Sequence, residues 1–116
     1  MQDKTLEMTL LFDFYGELLT DRQKSCFVQY YDEDLSLGEI AELMEISRQG
    51  VRDLIVRAEA TLTEAEEKIG FVRRHTQQRK TLDEMETQLN ELIGLTEGKA
   101  RALAEALQSA LGRLRD

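Results

Sequence analysis

Seven apolar residues, Val51, Ile55, Ala58, Leu62, Ala65, Ile69 and Val72, follow one another at alternating steps of four and three. A helix turns about 100° per residue, so this spacing lines all seven along one side of one α-helix, whereas a strand would scatter them over both faces. Such a run of heptads meets the threshold for a coiled-coil seam. It predicts packing against the chain's own C-terminal helices, or against a second copy. Gly70 weakens the seam near its end. A helix of this length in a chain of 116 residues makes an all-α fold the expectation. Composition agrees: there is no Pro, Gly is 7 of 116, and 41% of residues are hydrophobic, as in a folded helical protein.

Helical spacing recurs on both sides of the seam. Leu6, Leu10, Leu11, Phe14, Leu18 and Leu19 predict a first amphipathic helix. Thr20, with Gln23 three residues on, has the form of a capping box and opens a second helix whose buried side is read as Phe27, Tyr30 and Tyr31. Ser36 and Glu39 repeat the device for a short third helix with Leu37, Ile40, Ala41 and Met44 inward. Ser47 caps the fourth, which starts at Arg48. Two further helices follow, one with Leu82, Met85, Leu89 and Leu92, the other with Ala100, Leu103, Leu107, Leu111 and Leu114, separated by Gly94 and Gly98. The expected organisation is a helix-turn-helix domain over 1–70, winged-helix-like or sigma-region-four-like. Over 71–116, C-terminal helices pack on that domain or form a dimer contact.

Charge and residue types narrow the function. The net charge of -8 runs against the basic surplus usual in DNA-binding domains. It is concentrated at one end: residues 1–70 hold 7 Lys/Arg against 16 Asp/Glu, and residues 71–116 hold 8 against 7. The single Cys26 cannot form an intramolecular disulfide and is read as a small packed hydrophobe. No apolar run approaches the roughly 18 residues of a membrane span, and no signal sequence is visible, so a cytoplasmic location without membrane insertion is expected. His75 is the only histidine and lies beside arginines. With no metal-ligand spacing, no phosphate-binding loop and no nucleophile–base pattern, the chain is expected to be no enzyme and to carry no catalytic residue, metal or cofactor.

Two short helices joined by a tight turn, the second capped by Ser47, meet the requirements of a helix-turn-helix in which the first helix braces and the second enters the major groove. With Val51 turned inward, Gln49, Arg52, Asp53 and Val56 point outward and Arg48 and Arg57 flank them. Arg52 suits guanine, Gln49 adenine and Val56 a thymine methyl, while Arg48 and Arg57 suit phosphates. Three arginines against one aspartate make residues 47–57 locally positive in an acidic chain. Two features sit awkwardly: Glu45 stands in the turn where Gly is common, and Gly50 lies inside the reading helix.

These residues carry a resemblance. Leu19-Thr20-Asp21-Arg22-Gln23, Phe27, Tyr30-Tyr31, Asp34 to Ala41 and Ile46-Ser47-Arg48-Gln49 resemble region four of sigma factors, the helix-turn-helix that reads promoter elements. More closely, Leu10-Leu11-Phe12-Asp13-Phe14-Tyr15 and the block from Tyr30 to Gln49 are similar to the YlxM family of small bacterial helix-turn-helix proteins, over residues 9 to about 70. The resemblance implies an all-helical fold with a sigma-region-four-like module. It also implies a link to the signal recognition particle pathway.

Two functions follow. In one, a regulatory protein contacts nucleic acid, DNA in preference to RNA, through Ser47, Arg48, Gln49, Arg52, Asp53, Val56 and Arg57, as a monomer or a homodimer. In the other, the helix-turn-helix is only a scaffold. The chain then binds protein as an accessory factor of the signal recognition particle or its GTPase. Glu39, Glu42 and Glu45 on the bracing helix, which would repel phosphates, favour this second function. The basic cluster Arg73, Arg74, Arg79 and Lys80 is either a solvated bend or a patch for RNA or an acidic partner.

Overall fold

A computed structural model describes residues 4–115. Six α-helices follow in order: α1 (Lys4–Tyr15), α2 (Asp21–Tyr31), α3 (Leu37–Met44), α4 (Arg48–Ile69), α5 (Phe71–Leu95) and α6 (Gly98–Leu114), with one 3-10 turn, Gly16–Leu18, after α1. The fold is all-α, and no strand occurs among the described residues, so the helix-turn-helix has no β-wing. The chain forms two compact units, the first ending at Val72 and the second beginning at Arg73.

Local chemistry sets the helix starts of the first unit. The Thr20 hydroxyl accepts from the Gln23 backbone N–H at 3.1 Å, and the Gln23 side chain accepts from the Thr20 N–H at 3.0 Å. Ser36 and Glu39 form the same reciprocal pair at 3.1 and 2.9 Å. Two of the four unpaired N–H groups at each helix start are thereby satisfied, in a form written in the sequence. Hydrogen bonding from the Ser36 backbone, and secondarily its side chain, also holds the Glu39 carboxyl below the usual carboxylate range.

Helix α4 is the spine of the first unit. Val51, Ile55, Ala58, Leu62 and Ala65 are buried against Met8, Leu11 and Tyr15 of α1, Cys26, Phe27 and Tyr31 of α2, and Ile40 and Ala41 of α3. The seam is therefore covered by α1, α2 and α3, where the sequence predicted the C-terminal helices or a second copy. Phe27, fully buried, stacks on Phe12 at 4.7 Å between ring centroids and tilts against Tyr31 at 4.6 Å. The Cys26 thiol is buried and lies 3.1 Å from the Met44 sulfur; burial pushes its pKa up.

Helix α4 ends sooner than the heptad pattern predicts. Gly70 takes a left-handed φ of 66°, its N–H donates to the Glu66 carbonyl at 2.7 Å, and α5 starts at once. Ile69 is accordingly exposed, while Val72, on the next helix, returns to the core. Tyr15 and Glu66 clasp this corner. The Tyr15 hydroxyl donates to Glu66 Oε1 at 2.8 Å and accepts from the Phe71 N–H, and the same Oε1 accepts from the Val72 N–H at 3.0 Å. Two N–H groups at the start of α5 are thus held by side chains, one from Tyr15 on α1 and one from Glu66 in the last turn of α4.

Other expected faces shift. Leu6, Leu10 and Leu18 are exposed, and α1 buries Met8, Leu11 and Tyr15 instead. Tyr30 is exposed, with Cys26 taking its place beside Phe27 and Tyr31. Helix α1 carries apolar residues on nearly every side, so its periodicity does not select a face; the residues it meets do.

In the second unit α5 and α6 form an antiparallel hairpin. Arg115 bridges Asp83 at 2.8 Å and Glu86 at 2.7 Å, and Gln108 donates to Asn90. Among its apolar residues Leu82, Ala104 and Leu111 are buried. No described helix is long and apolar enough to cross a membrane.

Candidate nucleic-acid interface

The geometry of the site rests on the turn between α3 and α4. Glu45 adopts the left-handed conformation at φ 57°, ψ 44°. Its N–H reaches the Glu42 carbonyl at 3.4 Å, and the N–H of Ile46 reaches that of Ala41 at 3.1 Å. These two bonds define a Schellman closure, with Ile46 turned onto the core as its apolar anchor. A glutamate therefore does what glycine usually does, at a conformational cost of about 1–2 kcal/mol. The chain leaves extended, and Ser47 caps α4 by accepting from the Gly50 N–H at 2.9 Å. A Cβ on Gly50 would sit 3.2 Å from that Ser47 oxygen, a close approach that favours glycine inside the first turn of α4.

The outward side of α4 is as the spacing predicts. Ser47, Arg48, Gln49, Arg52, Asp53, Val56 and Arg57 are all exposed, and Val56 presents 48% of its surface. Gln49 and Asp53 form a pair, the amide Nε2 donating to the carboxylate at 3.0 Å. This contact fixes the Gln49 amide and meets part of the Asp53 charge on the face itself. The Arg48 guanidinium lies over the start of α3, where a Cβ added to Gly38 would come within 3.0 Å of Nη2. Arg48 thus sits at the rim of the face, over the N-terminal end of the bracing helix.

Arg52 and Val56 border a hollow of about 240 Å³, which Lys4, Tyr30, Tyr31, Ile55 and Glu59 also line. Lys4 pairs with Glu59 at 3.6 Å, and the Tyr31 hydroxyl donates to the same carboxylate. Burial pushes the Tyr31 pKa up, and the Glu59 contact pushes it the same way. The surround of Arg52 therefore carries both signs, with the Glu59 charge largely met by its two partners. Lys4 was not singled out in the sequence, and Tyr30 was read there as a buried residue of the second helix, not as part of this surface.

Arg73, Arg74, Arg79 and Lys80 are exposed on α5, and Arg79 also donates to the Arg115 backbone carbonyl at 3.5 Å. They belong to one helix of the second unit. Among the described residues no group of His, Cys, Asp and Glu is placed to hold a metal ion.

Residues 2–100 match the model of the UPF0122 family, described as "Putative helix-turn-helix protein, YlxM / p13 like". Similar proteins include a UPF0122 protein of a Thermoanaerobacter species, 55% identical over 85 residues that make up 73% of each chain. One from Listeria innocua is 53% identical over 89 residues, 77% of this chain and 81% of the relative. A longer match, to a UPF0122 protein of Desulforamulus reducens, covers 94% of this chain and 88% of the relative at 46% identity.

Proposed function

Because the chain belongs to the YlxM/p13-like family of helix-turn-helix proteins, we propose that it is a non-enzymatic bacterial regulatory protein of the cytoplasm that presents residues 47–57 to nucleic acid, DNA in preference to RNA. The observation that carries this reading is the exposed row Gln49, Arg52 and Val56 on a Ser47-capped helix braced by α3. Arg52 supplies a bidentate contact to guanine, Val56 an apolar contact to a thymine methyl, and Arg48 and Arg57 contact phosphates. Gln49 reads adenine once its amide turns from Asp53, and Asp53 is then free to accept from a cytosine amine. With a net charge of -8, binding is weak and steeply salt-dependent.

A second reading draws on the acidic bracing helix, whose Glu39, Glu42 and Glu45 are all exposed. In it the helix-turn-helix is a scaffold, and the chain is a protein-binding accessory factor of the signal recognition particle or its GTPase. Arg73, Arg74, Arg79 and Lys80 then face the RNA or an acidic partner surface.

Titrating the purified protein into pooled genomic DNA fragments and into signal recognition particle RNA, at low and physiological salt, separates the two. The first reading expects saturable DNA binding that Arg52→Ala weakens by about 5- to 150-fold, the equivalent of one bidentate base contact. Absence of saturable binding to either nucleic acid at low salt overturns it.

A further inference from the structure

The α5–α6 hairpin carries more apolar surface than a two-helix unit can use. Leu82, Ala104 and Leu111 close the hairpin, while Met85, Leu92, Leu103, Leu107 and Leu114 remain exposed, the last three by 58%, 58% and 61%. On α6 the unused residues keep heptad steps of their own: Ala100, Leu103, Leu107, Ala110 and Leu114 are spaced three, four, three, four. Helix α6 thus has two adjacent seams, one buried against α5 and one left exposed beside it. Residues of both helices, Met85, Leu89, Leu92, Leu107, Leu111 and Leu114 among them, line an apolar groove of about 370 Å³. A helix in a hairpin needs one seam. A helix in a four-helix bundle needs the wider apolar stripe seen here.

We propose that this face is a homodimer interface, in which the hairpins of two copies of this chain close into a four-helix bundle. Size and charge both favour a second copy. A hairpin of this length with so few buried side chains lies near the limit of about 40 residues below which folded units usually depend on oligomerisation or cross-links. Its charge is nearly balanced, unlike a surface made for a strongly acidic or basic partner. The balance is also polar along the hairpin. The end formed by residues 73–86 and 106–115 holds six basic residues against three acidic, and the tip, residues 87–105, holds two against three. A second hairpin turned end for end sets the basic end of each against the acidic tip of the other, as a two-fold axis allows. The proposal is independent of whether α4 binds nucleic acid.

The test is the mass of the full chain in solution by analytical ultracentrifugation at micromolar concentration, with no nucleic acid present. The expected result is a species of twice 13.4 kDa. Leu107→Glu, a change at an exposed position, halves that mass, Leu107→Met keeps it, and Leu43→Glu, on the exposed side of α3, also keeps it. Wild-type protein sedimenting as a monomer overturns the proposal, as does a dimer that survives Leu107→Glu or is lost with Leu43→Glu. Circular dichroism of Leu107→Glu adds a second readout: the proposal expects the dimer-dependent hairpin to lose helicity on dilution of the wild-type protein as well, in step with dissociation. Helicity independent of dissociation contradicts that dependence.

Discussion

Two of the three tyrosines are bound to carboxylates, and this decides how the molecule meets high pH. Burial pushes the Tyr15 pKa up, and its bond to Glu66 adds to that; burial followed by the Glu59 contact does the same for Tyr31. The neutral phenol is the donor in both, so ionising it would leave two negative charges in one contact. Folded-state values above the ordinary 10.0 mean that the unfolded chain releases these protons first. The stabilising contribution is complete below pH 10 and is lost as pH rises through the folded-state values. The phenolate absorbance of Tyr15 and Tyr31 is therefore expected to appear above pH 10 and together with loss of helicity. Full phenolate absorbance centred at pH 10 with helicity intact would contradict the assigned contacts. Neither contact is legible in the sequence, because the partners are 51 and 28 residues apart. The capping pairs at Thr20 and Ser36 are legible because donor and acceptor lie three residues apart.

At the scale of elements, the turn between α3 and α4 sets where α4 points, and it carries one strained residue. Relieving it by Glu45→Gly removes the left-handed penalty but adds freedom to the unfolded chain. The net expectation is a gain of about 0.5–1 kcal/mol in urea unfolding. A loss of stability would mean that the Glu45 side chain makes a compensating contact. The boundaries of α2, α3 and the start of α4 could be read from caps and periodicity. The end of α4 could not: the apolar rhythm runs on through Ile69 to Val72, while Gly70 turns the chain at its left-handed φ and hands Val72 to another helix. The buried side of α1 was equally hidden, since Leu6 and Leu10 are as apolar as Leu11 and only the surface they meet sorts them.

At the scale of the molecule, the first unit uses α1, α2 and α3 to hold one side of α4 in a core and leaves the other side exposed. The outward residues of α4 were legible because they are the complement of a buried seam on one helix. The neighbours that complete the site, Lys4 and Tyr30, come from two other helices, and no local pattern names them. The pairing of Gln49 with Asp53 adds a feature that composition does not suggest: the face is already internally hydrogen-bonded before any ligand arrives. Under the proposed function, a nucleic acid exchanges that contact for its own, which favours discrimination between sequences over tight general binding. Acidic residues on α3 add to this by weakening contacts that depend on phosphate charge alone.

The most direct test of the central claim is photo-crosslinking from a benzophenone side chain placed at position 56 on α4, with position 43 on the exposed side of α3 as the comparison, in the presence of labelled genomic DNA fragments. Efficient transfer to DNA from position 56, weak transfer from position 43, and loss of the position 56 product in an Arg52→Ala background is the predicted result. No DNA adduct from position 56, or equal yields from the two positions, would contradict α4 as the surface that meets nucleic acid.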